Sequence, residues 1–152
     1  MTGNNPRDLE HALSMIAGAA RGFKDPWHII GSAAAHLAGA DAGVINDIDL
    51  LLSIRDIKAL REQWPDAPVA PPVASDQFRS KIFYRFETPL PIEAMAAFEL
   101  RTRNGDWLAI TPKTRVRHGD LYAPDIAEQI AILRLMDRPK DAPRIAALER
   151  LL

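Results

Sequence analysis

Apolar residues along this chain change their spacing several times, and each change marks an element. From Asp8 to Arg21, Leu9, Ala12, Leu13, Ile16, Ala17 and Ala20 recur at helical spacing, which predicts an amphipathic helix after a loose start over residues 1–7. Its apolar face suits packing on a sheet or on a second copy of the chain, the latter giving a homodimer. Lys24-Asp25-Pro26 breaks the helix. Trp27–Ile30 is a short β-rich apolar run, read as a buried strand. Gly31-Ser32 then turns the chain into the alanine-rich Ala33–Ala38, expected as a short helix with Ser32 as N-cap. In the next apolar run, Ile48–Leu52, a strand period of two puts Asp47 and Asp49 on one face and Ile48 and Leu50 on the other. Arg55–Trp64 reads as a helix with Ile57, Leu60 and Trp64 inward, ended by Pro65.

Residues 65–78, up to the final Phe, hold four prolines and are expected as a stiff connector, a surface loop or a lid over the site. Phe78–Phe86 is aromatic and imperfectly alternating, so a strand is expected there, with Arg79, Lys81 and Arg85 forming a basic row on one face. A turn at Thr88-Pro89-Leu90-Pro91 leads to a second strand over Ile92–Thr102, closing a hairpin. Asn104-Gly105 signals a turn into a further strand at Trp107–Ile110, and Thr114–His118 suits an edge strand. Pro124 opens an amphipathic helix reaching Asp137, with Ile126, Ile130, Leu133 and Met136 on its apolar stripe. After Arg138-Pro139, Ile145, Leu148 and Leu152 line a last short helix. The sum is an α+β protein in two layers: a mixed twisted sheet of about five strands, helices mainly on one face, and C-terminal helices. One domain over 1–152 is expected, with its core at 22–118 and a helical part at 124–152.

Composition narrows the function classes. The chain of 152 residues is 47% hydrophobic and 26% charged, the balance of a globular domain. No apolar run approaches the roughly 20 residues of a membrane span, and the N-terminus lacks a secretory apolar region, so the cytoplasm is the expected location. With no cysteine, disulfides, zinc–thiolate sites and thiol nucleophiles are excluded. A net charge of −1 argues against a dedicated nucleic-acid surface. The charge is uneven, however: residues 1–78 carry 6 basic and 10 acidic groups, while 79–118 carry 8 and 4. An acidic half facing a basic middle suits a polyanionic ligand such as a metal–triphosphate; solvated basic strand faces would read the same.

Asp47 and Asp49 carry the candidate chemistry. Two carboxylates on one strand face repel each other and favour a cation, and oxygen ligands suit magnesium. Gly31 and Ser32, small and at a helix start, let a phosphate approach backbone N–H groups. His36 in the same helix could reach a phosphate or carry a proton, although helix-face histidines are more often structural. A third carboxylate from a neighbouring strand would complete such a cation site. Ile92-Glu93-Ala94 and Phe98-Glu99-Leu100 both fit, and share strand parity. They lie roughly 20 Å of strand apart, so both cannot serve one site.

At these residues the chain resembles the nucleotidyltransferase superfamily, the minimal polymerase-β-like fold. Its signature is a hydrophobic residue, Gly-Ser or Gly-Gly, a spacer, then Asp-hydrophobic-Asp-hydrophobic. Ile30-Gly31-Ser32 and Asp47-Ile48-Asp49-Leu50 match it across a spacer of 14 residues. The stretch from Phe78 to Leu100 is similar to the hairpin of small bacterial members, where the third acid stands just before Met; this favours Glu93 over Glu99. Arg138-Pro139-Lys140-Asp141 is similar to their Arg-x-Lys-Asp segment, with Lys140 toward phosphate and Asp141 holding Lys140 or capping the last helix. The resemblance implies transfer of a nucleoside monophosphate from a nucleoside triphosphate to a hydroxyl on a small molecule, a protein or an RNA. It implies Mg2+ (two ions, Mn2+ able to substitute) at Asp47, Asp49 and Glu93, and Gly31, Ser32, Arg79, Lys81 and Lys140 around the nucleotide. It also allows a non-catalytic member of a two-protein, toxin–antitoxin-like module.

Overall fold

The computed structural model describes residues 6–71 and 73–152. The N-terminal half holds helix α1 (Pro6–Ala20), strand β1 (His28–Ile30), α2 (Gly31–Leu37), β2 (Ile48–Leu52) and α3 (Ile54–Gln63). There follow β3 (Phe78–Arg79), β4 (Ile82–Phe86), β5 (Ile92–Ala96), β6 (Glu99–Arg101), β7 (Trp107–Ala109), β8 (Val116–His118) and β9 (Leu121–Ala123). The chain ends in α4 (Ile126–Met136), a 3-10 turn (Pro139–Asp141) and α5 (Ala142–Glu149).

Four strands form the central sheet in the order β1-β2-β5-β4. β1 and β4 run antiparallel to their neighbours, whereas β2 and β5 are parallel. A parallel pair needs a crossover, and α3 supplies it. Ser53 caps α3 by accepting from Asp56 N–H at 3.1 Å, and Ile57 and Leu60 are wholly buried.

Strand alternation divides the core in two. Ile29, Ile48, Leu50, Leu52, Phe86, Ile92, Ala94 and Ala96 face a cluster built from all five helices, including Leu9, Ile16, Ile57, Leu60 and Leu148. The opposite face gives Ile30, Leu51 and Met95 to a smaller cluster with Phe98, Leu100 and Ile110, closed by Ile132 and Met136 of α4. Asp49 and Glu93 share that second face by parity, at the end of their strands that the small cluster leaves uncovered.

The chain has the expected α+β fold, a mixed sheet with helices packed on it, and its strands divide into a central sheet of four, a three-stranded β3-β6-β7 sheet and a β8-β9 ribbon. The reason lies in the long hairpin. Phe78 opposes Leu100 and Ile82 opposes Ala96, one continuous register, but the ladder is interrupted between them. Ala97 has a left-handed backbone, φ 54°, which bends the hairpin and folds Phe98 and Leu100 back under Met95. The basic row expected along 78–86 is broken with it. β9 had no counterpart in the sequence pattern. α4 begins at Ile126, two residues later than the expected start at Pro124, with Asp125 capping it by accepting from Glu128 N–H at 2.8 Å.

The proline connector lies along the outer edge of β4. Ala70 N–H donates to Arg85 O at 2.9 Å and Glu87 N–H to Pro68 O at 2.8 Å, so this stretch extends the edge instead of covering the acids as a lid. Pro72 of that connector, and residues 1–5 of the expected loose start, lie outside the described residues; Pro6 and Arg7 already belong to α1. Among the described residues no helix is long and apolar enough to cross a membrane.

Candidate active site

One row of residues across the central sheet builds the site. Ile30 pairs with Asp49, Asp49 with Glu93, and Glu93 with Arg85, in neighbouring strands β1, β2, β5 and β4. Asp47, two residues before Asp49, joins from just ahead of β2 on the same face. Asp47, Asp49 and Glu93 each offer a carboxylate oxygen within 4.8 Å of the others. Glu99, the alternative third acid, stands beyond the Ala97 bend in the second sheet and pairs with Arg79 at 2.6 Å.

Gly31 makes the approach of β1 to this cluster possible. Its φ is +74°, a conformation that side chains disfavour, and a Cβ there would stand 2.8 Å from Asp49 Oδ2. Ser32 lies inside the first turn of α2; the N-cap position falls on Ile30, with no side-chain cap, so Ser32 does not cap this helix. His36 is exposed in the last turn of α2, at the far end from Gly31.

The electrostatics are those of a site short of positive charge. Burial pushes the Asp49 carboxyl well above its usual range, and the Asp47 and Glu93 charges push it further. Burial and the Glu93 charge raise Asp47 as well, against the pull of Arg85 and Lys140. Arg85 is the nearest cation: its Nη1 donates to Glu93 Oε2 at 2.7 Å and lies 3.6 Å from Asp47 Oδ2. These side chains keep part of their surface in solvent, 32% exposed for Arg85, 30% for Asp47 and 22% for Glu93, so the cluster opens to solvent.

A second group of cations arrives with the C-terminal segment. The Arg138 charge reaches Asp49 and that of exposed Lys140 reaches Asp47. Asp141 stands at the N-cap position of α5, but its side chain makes no cap hydrogen bond and pairs with arginines rather than with Lys140. Its carboxylate, 1% exposed, accepts from Arg138 at 2.8 and 3.0 Å and lies 3.7 Å from Arg144 Nη1. Arg144 in turn donates to Ala42 O and Val44 O, both at 3.1 Å, pinning the loop that delivers Asp47.

Arg79 and Lys81 are not brought to the acids. Arg79 sits in β3, paired with Glu99 and stacked 4.2 Å over the Trp107 ring. Lys81 lies exposed at the bend, about 13 Å of strand from Arg85. The interrupted ladder separates all three. Arg85, expected only as part of the basic row, and Arg138, expected only within the Arg-x-Lys-Asp segment, are the two cations that the sequence pattern does not assign to the acids. Arg85 carried a signal, because a turn centred on Pro89 places it opposite Glu93.

The donor set fits a divalent metal. Three hard oxygen donors converge on one face, and the charged forms of Asp47 and Asp49 are disfavoured there without a cation, which suits a small, highly charged ion. Asp47, Asp49 and Glu93 could therefore hold such an ion.

No protein-family model matches this chain, and no curated protein sequence matches it. Among solved structures it is similar to a protein from Thermotoga maritima provisionally assigned as a nucleotidyltransferase. The TM-score is 0.70 at 14% identity, covering 96% of this chain and 95% of that one. The chain thus has a nucleotidyltransferase-like fold over nearly its whole length.

Proposed function

We propose that this protein transfers a nucleoside monophosphate from a nucleoside triphosphate to a hydroxyl group. The observation that carries the reading is the convergence of Asp47, Asp49 and Glu93 beside Gly31 on adjacent strands. Bound there, Mg2+ ions (two with nucleotide present, Mn2+ able to replace them) would neutralise phosphate charge and polarise the acceptor oxygen. Gly31 and the Ser32 hydroxyl receive triphosphate oxygens at the bend between β1 and α2. The acceptor oxygen forms a bond to the α-phosphorus as the bond to the β-phosphate oxygen breaks, and pyrophosphate leaves. Glu93 faces the acceptor and takes the hydroxyl proton. Exposed Lys140 offsets charge on the departing pyrophosphate as a mobile point charge. Most of the rate would come from positioning and fixed electrostatics.

The acceptor is a small molecule, a protein or an RNA. An intact acid cluster weighs against a purely non-catalytic role in a two-protein module. Purified protein incubated with each α-labelled nucleoside triphosphate, Mg2+ or Mn2+, and cell RNA or protein extract should release pyrophosphate and label an acceptor. Asp47→Asn should abolish both signals. Full turnover in that variant, or no label transferred from any of the four nucleotides by the wild type, would overturn the assignment.

A further inference from the structure

We infer that Arg85 is a tethered cation that competes with a divalent metal for Glu93 and Asp47, so that metal reaches that corner of the cluster only as the guanidinium leaves. The inference rests on the nucleotidyl-transfer reading for the identity of the metal site. It adds what holds the acids together before a metal arrives.

One nitrogen, Arg85 Nη1, stands between two of the three converging carboxylates, 2.7 Å from Glu93 Oε2 and 3.6 Å from Asp47 Oδ2. This placement follows from the β4–β5 register, which sets Arg85 directly across from Glu93. Among the described residues, Asp49 has no cation within ion-pair distance, so Arg85 serves one side of the cluster only. Three carboxylates and one guanidinium leave a formal charge of −2, which a single divalent ion cancels. An ion coordinated by Glu93 would share its oxygen with a guanidinium nitrogen already in hydrogen-bond contact. At about 4 Å, two cations in a partly buried site repel strongly.

The guanidinium also has somewhere to go. Arg85 Nε lies 3.8 Å from Glu87 Oε1, on an exposed side chain outside the cluster. A rotation toward Glu87 keeps Arg85 paired while freeing Glu93. The edge strand thus carries both the obstacle and its alternative seat.

Calorimetric titration of the full-length, metal-free protein with Mn2+, without nucleotide, tests this in wild type, Arg85→Gln and Arg85→Lys. Arg85→Gln should bind Mn2+ at least about tenfold more tightly than wild type, and Arg85→Lys, which keeps the charge, should stay near wild type. Equal or weaker binding by Arg85→Gln overturns the inference while leaving the metal site in place. No Mn2+ binding by any of the three proteins overturns both the inference and the functional reading. A measurement on the wild type alone covers the case in which Arg85→Gln does not fold. In an arginine Nε–H NMR spectrum, the Arg85 signal should shift and exchange faster with water as Mg2+ is added. An Arg85 signal unmoved at saturating Mg2+ overturns the inference.

Discussion

Asp49 Oδ2 lies 2.8 Å from where a Cβ on Gly31 would stand, and Gly31 itself has a φ of +74°. The end of β1 and the central carboxylate of β2 are therefore fitted to each other with no room for a side chain. Gly31→Ala meets two penalties, backbone strain at positive φ and a clash with a carboxylate held between neighbouring strands. It should lower stability by about 1–3 kcal/mol, and by displacing Asp49 it should weaken Mn2+ binding as well. Urea unfolding and a Mn2+ titration read the two effects separately. Unchanged metal affinity would mean that Asp49 relaxes without leaving the cluster.

Removing a carboxylate should help the fold while ruining the site. Burial, then the charges of Asp47 and Glu93, disfavour the ionised form of Asp49. Asp49→Asn keeps the shape and discards the repulsion, so in EDTA it should be more stable than wild type by about 1 kcal/mol. With millimolar Mg2+ the order should reverse, because only the wild type gains stability from the bound ion. Thermal melts in the two buffers check this. A lower melting point for Asp49→Asn in EDTA would show that the carboxylate is held by net favourable contacts.

How far the sequence revealed the site depends on how local each signal is. Asp47 and Asp49 lie on one strand, where a period of two settles their facing without knowledge of the sheet. Glu93 is on a different strand, and residue pattern alone did not separate it from Glu99. The structural difference is the bend at Ala97, a non-glycine residue at φ 54° that no local pattern announces. The same bend dissolved the supposed row of Arg79, Lys81 and Arg85. Of those three only Arg85 reaches the acids, through cross-strand register and not strand parity. Helices with long apolar stripes, α1 and α3, came out within a residue or two. β9, three residues long, left too little periodicity to see.

Asp141 ties the C-terminal segment to the loop before Asp47. Its buried carboxylate holds Arg138 and Arg144, and Arg144 holds the carbonyls of Ala42 and Val44. Asp141→Asn leaves two partly buried guanidinium groups without their counter-ion and should cost about 3 kcal/mol. The loosening should spread to residues 40–47, seen as faster amide hydrogen exchange there. If those amides exchange at the wild-type rate in the variant, Arg144 holds the loop without help from Asp141.

His28 should make the fold sensitive to mild acid. It is 7% exposed on β1, and its Nε2 bonds to Thr114 O at 2.9 Å. Burial, the largest influence, lowers its pKa below the ordinary 6.5; the Thr114 bond opposes this and the Arg115 charge assists it. The unfolded chain therefore takes up a proton at His28 that the folded chain resists, and stability falls as the pH drops below about 6.5. Glu128 adds a second, lower step. Burial works to raise its carboxyl, but hydrogen bonds from the Thr114 hydroxyl and the Lys113 and Thr114 amides outweigh it, so its pKa lies below the ordinary 4.5. Protonating it removes stability only below about 4.5. Urea midpoints followed from about pH 7.5 to about 3.5 should fall in the wild type first below about 6.5 and again below about 4.5. His28→Gln, which can still donate to Thr114 O, should flatten that upper step and leave the fall below about 4.5 intact. A variant with the same upper slope as wild type would place the titrating group elsewhere.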